Sequence, residues 1–407
     1  MQCGLLGRKL SHSYSPQIHK HLGNYAYTIF EKEPDDLESF LKNGDFTGLN
    51  VTIPYKKDVI AFCDQLSKQA SQLGAVNTIV RQADGTLIGH NTDYFGFHSM
   101  VKHSGLSVQG KKVLVLGSGG ASVTTVAVLQ ELGSNVIVIS RSGSDNYDNI
   151  YKHADASIIV NTTPVGMYPY TENSPVDISV FPQLEGVLDL IYNPARTKLL
   201  MDAEQRGLVA ENGLWMLVAQ AKESAEWFTG TTISDAVINT IYSELRQQME
   251  NIILIGMPGC GKSTIGLDLA KKLGRKFVDA DAEIVVNAGM PIPQIFSKWG
   301  ETEFRRLETL ALARLGKESG LVIATGGGCV TREINYPHLH QNGRIIWLQR
   351  DINSLPTDGR PLSKASQLSE MYQYRKPLYK SFADLVVENN STPEDTIRQI
   401  LKLEDSK

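Results

Sequence analysis

Residues Gly256 to Ser263 read Gly-Met-Pro-Gly-Cys-Gly-Lys-Ser, a complete G-x-x-x-x-G-K-[ST] loop. Such a loop cradles phosphate only where a strand runs into a helix, because backbone N–H groups and the helix N-terminus supply the attraction. The apolar run Asn251–Ile255 precedes it, and an amphipathic run from Thr264 to Leu273 follows. A loop of this kind follows the first strand of its domain. A nucleotide-binding domain therefore begins near residue 250, and everything before it must form something else.

At 407 residues the chain is long enough for two or three domains, each with its own core. A net charge of −4 provides no basic field for nucleic acid. The four cysteines (Cys3, Cys63, Cys260, Cys329) are scattered, without metal-ligand spacing, and read as reduced thiols. No apolar run approaches the length of a membrane span, and the N-terminus lacks the apolar core of a secretion signal. The expectation is a cytoplasmic protein acting on small molecules, with neither nucleic acid nor membrane as partner.

Short apolar runs alternate with helical patterns at Leu49–Ile53, Val113–Gly117, Asn135–Ser140, Ala156–Asn161, Gly186–Leu190, Ile252–Ile255, Leu321–Ala324 and Arg344–Leu348. They are mostly too continuous for half-exposed strands. The pattern predicts α/β architecture with parallel sheets covered on both faces. A helix from an N-cap at Ser234 to about Gln248 ends the first half, leaving a two- or three-residue junction before the next strand.

In the first half, the strand ending at Leu116 runs into Gly117-Ser118-Gly119-Gly120-Ala121-Ser122, a turn whose glycines let backbone approach a pyrophosphate. The next strand ends in Ser140-Arg141. An acid near that point suits the ribose hydroxyls of NAD, whereas a cation suits the 2′-phosphate of NADP. A solvated surface charge is the plainer reading of Arg141. Three polar clusters lie outside this turn: His12-Ser13-Tyr14-Ser15, Asn50-Val-Thr52-Ile-Pro54-Tyr55-Lys56, and Asn77-Thr78 with Gly89-His90-Asn91-Thr92-Asp93.

With these motifs the sequence resembles shikimate dehydrogenase over residues 1–246. The resemblance implies an α/β substrate subdomain (about 1–95 plus 216–246) and a Rossmann-like NADP-binding subdomain (about 96–215). It also implies NADPH-dependent reduction of 3-dehydroshikimate to shikimate. Lys56 and Asp93 match the family's catalytic pair, and a Lys beside a carboxylate can pass a proton to a carbonyl oxygen as hydride arrives. Ser13 and Ser15 would hold the ring carboxylate, and Thr52, Asn77 and Asp93 the ring hydroxyls. Tyr192 and Gln220 are further substrate-binding matches. The cofactor residues implied are Gly117, Ser118, Gly119, Gly120, Ala121, Ser140, Arg141, Asn161 and Thr162. Three departures stand out. Tyr94 replaces a common Gly, Val123 replaces a frequent Arg, and the stretch from Arg141 to Asp155 leaves little room for a helix–strand unit.

In the second half, Lys262 can reach the β/γ-phosphates of ATP and Ser263 can ligate Mg²⁺. Downstream come Asp279-Ala-Asp281, Arg305-Arg306-Leu-Glu308, Gly326-Gly327-Gly328, Gly359-Arg360-Pro361 and Arg375. Together these resemble shikimate kinase over residues 250–407, a P-loop α/β/α domain with a parallel sheet. ATP would contact Gly256, Met257, Pro258, Gly259, Cys260, Gly261, Lys262, Ser263, Thr264 and Arg360. The resemblance puts Asp279 with Ser263 in the Mg²⁺ shell and Asp281 on the substrate hydroxyls, as the base. Arg305 and Arg375 fall on the carboxylate, Gly327 and Gly328 against the ring, and Arg360 in a lid facing the transferred phosphoryl group. For Arg305, Arg306 and Glu308 a solvated helix face with i,i+3 pairing is the alternative, and it suits Arg306 best. The combined expectation is a bifunctional enzyme of aromatic biosynthesis using NADP(H), ATP and Mg²⁺. Its rivals are an NAD-dependent quinate/shikimate dehydrogenase fused to a small-molecule kinase, and an inactive metabolite-binding regulator.

Overall fold

A computed structural model describes residues 1–10, 13–355 and 365–405. The chain divides into two units, one of Met1–Tyr192 with Leu199–Leu245, the other of Asn193–Lys198 with Arg246–Lys407. The short segment 193–198 thus groups with the second unit, and the other break falls between Leu245 and Arg246. Among the described residues no helix is long and apolar enough to cross a membrane, and all four cysteines are free thiols.

The first unit contains two sheets. One has six strands: β1 (Gln2–Gly7), β2 (Ala26–Glu31), β3 (Gly48–Val51), β4 (Gln65–Leu66), β5 (Thr78–Arg81) and β6 (Leu87–His90), in the order β2-β1-β3-β5-β6-β4. Contrary to the expected parallel arrangement, β5 runs antiparallel to both β3 and β6. The reason is local. Asp84-Gly85 turns the chain back on itself, with Gly85 at φ +92° and the Gln82 N–H donating to Thr86 O at 2.8 Å. The hairpin sets the ends of β3 and β6 on either side of the start of β5, so residues following β3 and β6 can meet Asn77, which precedes β5.

The other sheet is fully parallel: β7 (Lys112–Leu116), β8 (Asn135–Ile139), β9 (Ile158–Asn161), β10 (Gly186–Asp189) and β11 (Val209–Asn212), in the order β11-β10-β9-β7-β8. The chain steps from β7 to β8 and then crosses to the other side of β7. This leaves a crevice at the C-terminal ends of β7 and β9, where such sheets bind nucleotides. Between Arg141 and Asp155 only a 3₁₀ turn, Ile150–His153, is formed.

The second unit repeats the logic with β12 (Asn251–Ile255), β13 (Phe277–Asp279), β14 (Val322–Ala324), β15 (Gly343–Gln349) and β16 (Leu385–Glu388), all parallel in the order β13-β14-β12-β15-β16. Every residue of β12 is buried, so the phosphate loop springs from the centre of the core.

Two buried histidines tie the first unit's stability to pH. His19 is 1% exposed, stacked 4.0 Å from the Tyr27 ring, with Nδ1 2.7 Å from the Tyr25 hydroxyl. Burial pushes it down to about 3, and His90, stacked on Trp227, down to about 4. Unfolded histidines titrate near 6.5, so below that pH the unfolded chain takes up protons that the folded chain refuses. Stability is therefore undiminished above pH 6.5 and is lost as pH falls toward the folded values. We expect His19→Phe to remove about 2 kcal/mol of the destabilisation seen between pH 7 and pH 5. Urea unfolding at the two pH values tests this, and equal losses in variant and parent would refute it.

Candidate active sites

All eight expected dehydrogenase substrate residues, Ser13, Ser15, Thr52, Lys56, Asn77, Asp93, Tyr192 and Gln220, line one cavity of about 460 Å³. The strand ladder assembles them. Asn77 follows Val76, whose N–H donates to Lys56 O, and Asn77 N–H itself donates to His90 O. Lys56 Nζ donates to Asp93 Oδ2 at 2.6 Å, with the side chains 33% and 17% exposed. Asp93 opens the helix Asp93–Ser104, where a carboxylate also meets the positive helix end. Asn77, 3% exposed, accepts the Thr92 N–H on Oδ1 at 2.7 Å and donates Nδ2 to Thr92 Oγ1 at 3.1 Å, which holds the residue before Asp93 in place. Ser13 Oγ accepts the Ser15 N–H at 3.2 Å. Tyr192 stands edge-on to Tyr14, and burial raises its phenol. Gln220 donates Nε2 to Leu217 O at 2.8 Å. Asn50 and Lys9 also line the cavity. Asn50 lay inside a motif already singled out, whereas Lys9 carried no local signal.

The same cavity is walled by Ala121 and Thr124 of the helix Gly120–Glu131, which starts at the glycine turn. That helix N-terminus has no side-chain cap, leaving its N–H groups for an anion. A methyl group at Gly119 or Gly120 would meet nothing within 4 Å, so protein packing does not explain these glycines. The open space above an uncapped helix end fits a dinucleotide pyrophosphate. Gly117, at φ +105°, closes against Thr162, whose hydroxyl donates to Leu116 O at 2.7 Å. Ser118 and Arg141 are exposed, while Ser140 is nearly buried. Asn161 is engaged within the protein. It is 0% exposed, donates Nδ2 to Asp189 Oδ1 at 3.0 Å and accepts the Thr163 hydroxyl at 2.7 Å. Its side chain shapes the loop after β9 through these bonds.

In the second unit Lys262, 8% exposed, donates to Gly256 O at 2.9 Å and Met257 O at 3.0 Å. The side chains of Met257 and Cys260 are buried, so these two residues can offer a nucleotide only their backbone. Ser263 donates Oγ to Asp279 Oδ2 at 2.6 Å, and Asp279 Oδ1 caps the helix Ala280–Ala288. Among the described residues no cluster of three or more His, Cys, Asp or Glu could cage a metal. A Ser–Asp oxygen pair beside a phosphate loop fits Mg²⁺, which takes few protein ligands and completes its shell with phosphate and water.

Asp281, Arg305, Gly327, Gly328 and Arg375 converge. A methyl at Gly328 would stand 2.3 Å from Arg305 Nη1, and Arg375 donates Nη1 to Gly327 O at 3.0 Å. Glu308 belongs with them and not on a solvated face. It is 0% exposed and accepts Arg305 Nη1 at 2.9 Å, whereas Arg306 is exposed and pairs with Glu303. The other oxygen, Glu308 Oε1, and Asp281 Oδ1 lack hydrogen-bond partners among the described residues. A methyl at Gly326 would stand 2.6 and 2.7 Å from them. Burial raises both carboxyls, and Arg305 pulls each back down. Gly300, at φ +79°, breaks the helical stretch Ile292–Lys317 and starts the turn that carries Glu301, Arg305 and Glu308. Arg360 lies outside the described residues.

Comparison with known proteins gives two family matches: a shikimate dehydrogenase substrate binding domain over residues 5–79, and shikimate kinase over residues 258–404. The chain is 36% identical over 280 residues to the NADP(+) shikimate dehydrogenase of Caldicellulosiruptor saccharolyticus, covering 60% of this chain and 98% of that protein. Among solved structures it resembles shikimate dehydrogenase 1 from Peptoclostridium difficile, with 39% identity and a TM-score of 0.55 over 60% of this chain and 97% of that one. It also resembles a chorismate mutase/shikimate 5-dehydrogenase fusion from Clostridium acetobutylicum, with 35% identity and a TM-score of 0.57 over 60% and 96%.

Proposed function

The chain belongs to the shikimate dehydrogenase family and carries a shikimate kinase domain, and from that premise we propose the order and direction of its chemistry. It is a bifunctional shikimate-pathway enzyme that uses NADP and ATP. In our reading, residues 1–246 reduce 3-dehydroshikimate to shikimate, and residues 250–407 phosphorylate shikimate to shikimate 3-phosphate, both in the cytoplasm. The observation that carries this reading is the Lys56–Asp93 pair in a cavity walled by the cofactor helix, so that proton donor and hydride donor share one space.

NADPH, when bound, supplies the hydride to the ring ketone. Ser13 and Ser15 bind the substrate carboxylate through their hydroxyls. Thr52 and Asp93 take ring hydroxyls, with Asn77 behind them fixing the turn that presents Asp93. Lys56 gives a proton to the carbonyl oxygen, and Asp93 holds the ammonium in line and offsets its charge. In the kinase site Arg305 and Arg375 bind the carboxylate of shikimate, and Glu308 clamps Arg305. Asp281 accepts the proton of the attacking hydroxyl. Ser263 and Asp279 would hold Mg²⁺, which would supply screening of the phosphate charge, while Lys262 and the loop N–H groups position the phosphates.

Supplying 3-dehydroshikimate, NADPH and ATP together should yield shikimate 3-phosphate, with one NADPH consumed per ATP. ADP formation that does not depend on 3-dehydroshikimate would sink the proposal. Arg305→Ala should raise the KM for shikimate about tenfold or more through loss of a charge-assisted fork, with little change in the KM for ATP. Equal effects on both would remove Arg305 from carboxylate binding.

A further inference from the structure

The loop between β8 and β9 carries a cation, Arg141, and an acid, Asp145, close to the end of β8. The Ser140 N–H donates to Asp145 O at 3.1 Å, closing residues 140–145 on themselves and setting Asp145 beside the strand end that also carries Arg141. One short loop thus presents a guanidinium, suited to a 2′-phosphate, and a carboxylate, suited to a pair of ribose hydroxyls. The carboxylate is engaged. His153, on the 3₁₀ turn Ile150–His153, places Nε2 2.8 Å from Asp145 Oδ1, the two side chains being 13% and 37% exposed. The Ser144 hydroxyl approaches the other oxygen at 3.4 Å. The loop is braced internally as well, Asn149 donating Nδ2 to Ser144 O at 2.8 Å and Asn146 donating Nδ2 to Gly143 O at 3.3 Å. The bond from His153 holds the Asp145 carboxyl below its ordinary range, so it stays an anion with its charge turned toward the imidazole.

We infer that His153 is a specificity-determining residue for the dehydrogenase. By engaging Asp145 it keeps the loop's acid away from the adenosine ribose and leaves Arg141 to meet the 2′-phosphate, so the Asp145–His153 pair sets the preference for NADP over NAD. The inference rests on the reading that Ser140–Arg141 receives that phosphate. Releasing Asp145 acts twice, since the freed carboxylate repels a 2′-phosphate and accepts from a 2′-hydroxyl.

Calorimetric titration of the full-length protein with NADP⁺ and NAD⁺ provides the test, because a purely structural role would not move the ratio of two dissociation constants. His153→Leu, and the milder His153→Asn, should lower the NADP⁺:NAD⁺ affinity ratio roughly tenfold, the scale of one charge-assisted contact. Adding Asp145→Asn to either should restore the ratio. An unchanged ratio in a folded His153 variant, or no restoration on adding Asp145→Asn, overturns the inference. Arg141→Ala checks the underlying reading separately. If it leaves NADP⁺ affinity intact, the phosphate assignment fails whatever the His153 variants do.

Discussion

Lys56→Ala is expected to lower the rate of 3-dehydroshikimate reduction by about 10³-fold, within the range for losing a positioned general acid, while the kinase rate of the same polypeptide stays at its parental value. The size follows from the surroundings of the ammonium. Lys56 Nζ sits 2.6 Å from Asp93 Oδ2, and both residues line the substrate cavity. Lys9 lines the same cavity but is not in that pair. Substrate affinity should fall little, because the carboxylate contacts proposed for Ser13 and Ser15 would not depend on Lys56. A kcat loss of less than about tenfold would assign the proton to another donor. The unaffected kinase serves as an internal control for folding and concentration.

The second large effect is at Asp281. Asp281→Asn should cost shikimate phosphorylation about 10²–10⁴-fold, the range for removing a general base, with dehydrogenase activity unchanged. The carboxyl is raised by burial and by Asp279, and lowered by Lys262 and Arg305. A base must be ionised, so kinase activity should fall on the acid side through a pKa lying above the ordinary carboxylate range. Arg305→Met removes one of the two cations that lower it, and the acid limb should therefore move to higher pH. Profiles of kcat between pH 5 and 8 at saturating ATP and shikimate give the answer. A limb that stays put, or moves down, would show that Asp281 is not the group titrating.

The residues that come together in both candidate sites were legible because they are particular types at fixed spacing beside strand ends. Gly256–Ser263, Lys56, Asp93, Asp281 and the triglycine turn all announce themselves that way. What escaped depends on burial, which no local pattern encodes. Glu308 reads like any acid three positions from an arginine until the second unit packs over it and leaves it 0% exposed. Asn161 reads as a polar residue at the mouth of a nucleotide crevice, yet the partner that claims its amide, Asp189, is 28 positions away on the neighbouring strand. The antiparallel course of β5 was different. Its signal, Asp84-Gly85, stands in the sequence, but neither flanking strand is among the apolar runs that predicted parallel sheets.

The turn Gly326–Gly328 has a consequence for inhibition. A side chain at the first position would run into Glu308 and Asp281, at the second into Pro258, and at the third into Arg305. Each of those neighbours belongs to the candidate kinase site or to its phosphate loop. An inhibitor that took its affinity from the backbone of these three residues would press on positions with almost no mutational escape. Resistance would have to arise at the inhibitor's periphery, where changes leave shikimate a smaller advantage over the drug.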